Sequence, residues 1–211
     1  MALPPGGELT AGHSAGAARS DNEAKYRSRN PVVRHLVRRF VQRIGDLVEA
    51  HGPGRILEVG CGEGVLIEYL SGRLPAARLD GVELDAAALD RGRLRCPRAS
   101  LMQANAYELP FRSRSYDLVL CLEVLEHLAE PARALREIRR VSGRGCLVSV
   151  PHEPFFRLGN ALRGKNLGRL GDPSDHLQHW GAGAFAAFCG RELAVQTRIH
   201  AFPWLIVYGT V

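Results

Sequence analysis

Apolar positions recur along this chain with two different periods. Between Tyr26 and Glu49, Val33, Leu36, Val37, Phe40, Val41, Ile44 and Leu47 share one side of a helix, with Arg34, Arg38, Arg39 and Arg43 mostly on the other. Short stretches of strand character follow, at Ile56–Val59, Arg78–Glu83, Ser100–Gln103, Ser115–Cys121 and Cys146–Val150. Such stretches, alternating with helical patterns, read as strands of a parallel sheet. Helical patterns lie between them at Val65–Leu70 and Pro131–Val141, and Gly143-Arg144-Gly145 reads as a turn before the fifth strand. A further helix is predicted over Trp180–Gly190, then two β-runs, Leu193–His200 and Trp204–Thr210, joined by a turn containing Pro203. Strand and helix alternate without a hairpin until the end of the chain. That order predicts an α/β fold with a doubly wound, mostly parallel sheet and helices on both faces.

The first strand ends in Gly60-Cys61-Gly62-Glu63-Gly64. A strand, a glycine-punctuated turn and a helix together hold nucleotide-like ligands in such folds, because the backbone can approach the ligand and the helix start offers N–H groups. The spacing departs from the dinucleotide pattern G-x-G-x-x-G: Gly64 comes one residue early and Val65 fills the last position. Glu58 is a carboxylate near the end of an otherwise apolar strand, and burying it is costly without compensation. A ligand ammonium would supply that compensation; a pyrophosphate would be repelled. S-adenosylmethionine (SAM) carries an ammonium, a sulfonium and an adenosine. Glu83 ends the second strand 23 positions past Gly60. An acid about 20 residues beyond the loop accepts hydrogen bonds from ribose hydroxyls. Asp85 suits a helix N-cap better.

The stretch Ile56–Gly64 resembles the SAM-binding loop of class I methyltransferases, and the order of elements over 31–211 resembles that family throughout. Within it, the chain is most similar to the small-molecule "type 11" group that includes ubiquinone and menaquinone methylases. The resemblance implies a Rossmann-like, seven-stranded sheet with a reversed C-terminal hairpin strand. It also implies donor contacts at Glu58, Gly60, Cys61, Gly62, Glu83, Leu84 and Leu122. Ala104-Asn105-Ala106 occupies the family's adenine-binding stretch, with Asn105 where an Asp is usual; its carbonyl can accept from the adenine amino group, and the Ala106 N–H would reach the ring. The leading helix often lids the donor site in this family, which marks Tyr26 and Arg29 as ligand contacts. SAM would be converted to S-adenosylhomocysteine.

Acceptor-side residues should trail the fourth and fifth strands: Glu123, Glu126, His127, His152 and Glu153. The insert after them, 153–180, brings His176 and His179. His127 and His152 are the candidates for a catalytic general base, needed only where the acceptor must lose a proton. Glu123, Glu126 and His127 fall on one helical face at i, i+3 and i+4. That pattern resembles the ExxEH metal motif of small-RNA 2′-O-methyltransferases and ubiquinone-pathway O-methyltransferases, suited to Mg²⁺, Mn²⁺ or Fe²⁺ with His152 as a fourth ligand. Similar VLEHL segments also occur in this class without metal, where Leu125 and Leu128 simply pack. Whether a metal binds stays open, and a metal is not the favoured reading.

Composition narrows the picture further. The length of 211 residues suits one domain. Residues 1–24 are rich in Gly, Ala, Pro and Ser and are expected to be a disordered tail without a signal-peptide pattern. The methyltransferase domain should span 25–211, with a lid helix over 25–50. Cys61, Cys96, Cys121, Cys146 and Cys189 form no CxxC pair, which fits reduced thiols in a cytoplasmic protein. No apolar run approaches the ~18 residues of a membrane span. The formal charge is +6, almost all from arginine. From Arg133 to Arg169, nine basic residues face two acids, yet sparse aromatics and no recognition motif argue against nucleic acid. In the insert, Phe155, Phe156, Leu158, Ala161 and Leu162 alternate with Arg157, Arg163, Lys165 and Arg169. A substrate lid is the preferred reading; such a stripe also suits peripheral contact with an anionic membrane.

The sequence therefore predicts methyl transfer from SAM to an O, N or C atom of a small molecule, driven mainly by proximity and orientation. A non-catalytic SAM-binding protein and a metal-assisted O-methyltransferase acting on a quinone, lipid or RNA end are the alternatives. A dehydrogenase is disfavoured by Glu58 and Val65.

Overall fold

A computed structural model describes residues 29–157 and 176–211. The tail 1–24, Tyr26 and the insert residues from Leu158 to Arg169 lie outside them. Helix α1 (Pro31–His51) begins where Asn30 accepts from the Val32 and Val33 amides and Pro31 occupies the first turn; it stops at Gly52, in the left-handed region. Strand β1 (Arg55–Val59), helix α2 (Val65–Arg73), strand β2 (Arg78–Glu83), helix α3 (Ala86–Arg95) and strand β3 (Ser100–Gln103) follow. The chain continues through β4 (Tyr116–Leu122), a single 3-10 turn (Leu125–His127), α4 (Pro131–Val141) and β5 (Ser142–Pro151). After the insert come α5 (Ala182–Cys189), β6 (Ala194–Ala201) and β7 (Trp204–Thr210).

The strands form one seven-stranded sheet in the order β3-β2-β1-β4-β5-β7-β6. Neighbours from β3 to β5 are parallel, and β7 pairs antiparallel with both β5 and β6. The reversal is therefore confined to β7, the single reversed strand of the C-terminal hairpin, while β6 points the same way as the parallel strands. Gly143-Arg144-Gly145 is not a turn before β5 but part of it, taken up by a register shift opposite Tyr116/Leu118. The helix expected from Trp180 starts at Ala182, because Trp180 instead bridges to His152.

Each face of the sheet has its own core. Leu57, Val59, Val119 and Val148 pack beneath Leu135, Ile138 and Val141 of α4 and Phe185 and Cys189 of α5. Ile56, Leu118, Leu120 and Leu147 pack beneath Val37, Phe40 and Ile44 of α1, Leu66, Ile67 and Leu70 of α2, and Leu89 of α3. Fully burying each such side chain contributes about 1.5–3 kcal/mol. The strand alternation that sends Leu57 and Val59 one way and Ile56 the other puts Glu58 on the side of Ile56, under α1 and α2.

Candidate functional site

The site is built at the carboxyl end of β1. Past Val59, Gly60, Gly62 and Gly64 all take positive φ (77°, 51° and 73°), a path closed to most side chains. The Gly60 and Cys61 amides donate to the Val82 carbonyl at 2.8 and 3.0 Å, so β2 holds the loop. Gly60 also has to be glycine for space: a Cβ there would strike Val124 Cγ2. Gly64 then starts α2.

Two carboxylates converge on this loop. Glu58 is only 7% exposed. Glu83 accepts from the Gly62 amide at 2.9 Å through one oxygen, and from the Leu84 and Asp85 amides at 2.7 and 3.0 Å through the other. The Cys61 thiol between them is pushed up, chiefly by burial and then by the negative fields of Glu58 and Glu83. Asp85 caps α3 by accepting from Ala87 and Ala88, as its position suggested. Leu84 stands 64% exposed beside Glu83, and Gln103 holds the Leu84 carbonyl at 2.9 Å. Asn105 lies on the loop after β3, exposed, with its side-chain oxygen accepting from the Tyr107 amide at 3.0 Å. It thereby caps its own turn and keeps one lone pair for another donor. Ala106 and Leu122 are half-buried at the same edge, and Arg29 is exposed ahead of α1.

An arginine clamp that the sequence pattern did not reveal lies under the loop. Glu63 is 1% exposed and pairs with Arg91 at 2.9 Å, while Arg95 donates to the Glu63 carbonyl at 2.9 Å. The signal was present: Arg91 and Arg95 are four apart on one helix face, opposite the loop's own acid.

Beyond β4 the structure separates residues that the spacing had grouped. Glu123 takes φ +59°, a left-handed conformation that breaks helical continuity at once. Its carboxylate accepts from Ser149 Oγ at 3.2 Å and from the Trp204 indole. Glu123, Glu126 and His127 therefore do not share a helical face, and the ExxEH set does not assemble as the spacing implied. Among the described residues, the group whose ligand atoms all lie within 4.8 Å is Glu126, His127 and His176. His152 is elsewhere: it packs against Phe155 and His200, with ring centroids 5.0 and 5.4 Å away. Burial, and then the neighbouring His200, hold its pKa below that of free imidazole. Glu153 follows it, its amide on the Trp180 carbonyl. His179 lies 6.4 Å from His176, ring to ring.

A doubly wound sheet with a glycine loop, a buried acid on the first strand and a second acid ending the next defines the class I SAM-dependent methyltransferase fold. Residues 57–149 match the model of a methyltransferase domain. A probable S-adenosylmethionine-dependent methyltransferase of Mycobacterium tuberculosis is 41% identical over 106 residues, covering 49% of this chain and 38% of that protein. A ubiquinone biosynthesis O-methyltransferase of Acinetobacter baumannii is 30% identical over 88 residues, covering 39% of this chain and 36% of its own. The chain thus spans about two fifths of the length of these curated relatives. Among solved structures, magnesium protoporphyrin IX methyltransferase from Synechocystis PCC 6803, with bound S-adenosylhomocysteine, matches with a TM-score of 0.70 at 17% identity, over 90% of this chain and 94% of that one. At that identity the likeness is one of fold. The same fold occurs in the [4+2]-cyclase SpnF (TM-score 0.62, 15% identity, 80% of this chain and 79% of that one). No helix among the described residues is long and apolar enough to cross a membrane.

Proposed function

We propose that this chain transfers the SAM methyl group to an O, N or C atom of a small-molecule acceptor. The observation that carries the reading is the convergence of Glu58 and Glu83 on a glycine loop that leaves room for backbone approach. In this reading Glu58 receives the donor's ammonium and Glu83 its ribose hydroxyls. Gly60, Cys61 and Gly62 would hold the methionine end, Leu84 and the Ala106 N–H would meet the adenine, Asn105 would accept from its amino group, and Leu122 would be a further donor contact. Isothermal titration with SAM, S-adenosylhomocysteine and NAD tests the donor; labelled methyl transfer to quinone, phenol and tetrapyrrole acceptors tests the activity. Binding of NAD in preference to SAM would overturn it. The name of one relative, a ubiquinone biosynthesis O-methyltransferase, supports a small-molecule acceptor.

The displacement places most of the acceleration in alignment of acceptor and methyl. Where the acceptor carries a proton, His152 is the preferred general base, since its depressed pKa keeps it neutral and able to accept at neutral pH. His127 is its competitor, and comparison of the His152→Ala and His127→Ala turnover rates decides between them. Five free, buried thiols suit a reducing cytoplasmic setting. Residues 25–211 act as one domain in this reading.

A further inference from the structure

We infer that Glu126, His127 and His176 form a binding site for one borderline-soft divalent transition-metal ion of the Zn²⁺ or Co²⁺ type. The three ligand atoms come from two stretches about 50 residues apart in sequence, and backbone pairing brings them together. The Glu126 carbonyl accepts from both the Leu177 and Gln178 amides, at 2.8 and 3.0 Å, and the Gln178 side chain donates to the Leu128 carbonyl at 3.2 Å. These bonds pin the returning chain across the 3-10 turn and set His176 edge-on to His127, ring centroids 5.0 Å apart. Phe156 stacks on His176 with ring centroids 5.7 Å apart.

Glu126 is 1% exposed, and its carboxylate lies 3.9 Å from His127 Nε2. A carboxylate that deep is retained beside cations or strong donors. Tetrahedral ligands about 2.1 Å from a zinc-like ion stand roughly 3.4 Å apart. Closing from the present limit of 4.8 Å therefore needs side-chain adjustment of about an ångström, within reach of the half-buried imidazoles. Two imidazoles and one carboxylate match Zn²⁺, Co²⁺ or Fe²⁺, whereas Mg²⁺ prefers an all-oxygen shell. Glu123 is not among the ligands, because Ser149 and Trp204 hold it. Three protein donors leave a coordination position for water or an oxygen of another molecule. The turn bearing Glu126 and His127 follows β4, next to the strand that ends in the glycine loop, so the ion would sit on the acceptor side of the sheet.

The test uses the full chain, stripped with a chelator and dialysed, titrated calorimetrically with Zn²⁺, Co²⁺ and Mg²⁺, with the visible Co²⁺ spectrum as a second readout. SAM titration of the same stripped sample reports the fold and the donor site separately, so a failure of either reading is seen by itself. Expected are one equivalent of Zn²⁺ or Co²⁺, a tetrahedral or five-coordinate Co²⁺ spectrum, and at least about a tenfold weaker affinity in His176→Ala and His127→Ala. The exposed His35→Ala serves as a control and should bind as the parent does. His176→Ala lies outside helix and strand, so it keeps the test open if Glu126→Gln fails to fold. Absence of a stoichiometric site, equal binding by His176→Ala, His127→Ala and His35→Ala, or Mg²⁺ binding as tightly as Zn²⁺ would each overturn the inference; the first would leave Glu126 and the histidines as a hydrogen-bonded cluster.

Discussion

The two ends of the sheet carry acids of the same kind and treat them in opposite ways. At the amino end, Asp80 is answered by Arg78 at 3.3 Å, by Arg55 at 4.0 Å and by the Tyr116 hydroxyl at 3.0 Å. Asp117 accepts from the Gly54 and Arg55 amides at 2.8 and 2.9 Å and from Arg144 at 3.2 Å. Those charges are cancelled within the chain and tie β1, β2, β4 and β5 together. At the carboxyl end, Glu83 is held by three neutral amides, which fix its direction without neutralising it. A carboxylate oriented by neutral donors keeps a negative field for something else to meet. One end is finished by folding; the other, in the proposed reading, meets a ligand bearing positive charge and hydroxyls.

The sharpest way to break this contrast is to spoil the loop. Gly60→Ala adds a Cβ against Val124 at a φ of +77°, and donor affinity should fall by about 100-fold, given the combined strain and clash. Calorimetric titration with SAM measures it, and unchanged affinity would remove the loop from the site. Next come Glu58→Ala and Glu83→Ala, expected to weaken SAM binding roughly 10- to 100-fold, the usual range for a lost charged hydrogen bond. Both should keep the far-ultraviolet circular dichroism of the parent. Tyr116→Phe probes the other end: it should cost about 1 kcal/mol in urea unfolding while SAM affinity stays put. A change in affinity instead would mean the two ends are coupled.

Two pH effects complete the comparison at smaller scale. The Arg55 amide first, with Gly54 and Arg144 helping against burial, holds Asp117 below the usual carboxylate range. Its folded pKa being depressed, its contribution to stability is complete above the unfolded value and is lost as pH falls through the folded one. Asp117→Asn should flatten that acid limb in unfolding curves taken between neutral pH and about pH 3. At the carboxyl end, His152 is depressed by burial and then by His200. If it is the base, turnover falls only when pH drops below free imidazole values, and His200→Ala shifts that limb upward. A limb that ignores His200 would take the base away from His152.

Much of this was legible in the chain. Strands β2, β3 and β7 begin and end at the residues the pattern predicts; β7 is an apolar run buried along its length, whereas β3, at the sheet edge, buries only Leu101. The glycine loop, Glu58 and Glu83 are equally local, separated by one strand–helix–strand unit. The acceptor side was not legible in the same way. The spacing of Glu123, Glu126 and His127 fits a helix, but Glu123 turns left-handed and Trp204, 81 residues on, takes its carboxylate. The Arg91–Glu63 clamp was readable in principle and needed only the pairing of helix faces.

Local periodicity, glycine placement and strand-end acids determined the element order, the doubly wound sheet and the glycine loop with its two acids, because each depends on hydrogen bonds and burial within a few residues. Tertiary structure decided which acids are neutralised, that β7 alone among the described strands runs backwards, and that His176 joins Glu126 and His127. Those outcomes depend on which distant segments the sheet brings within hydrogen-bonding reach, and no short stretch of sequence holds that distance.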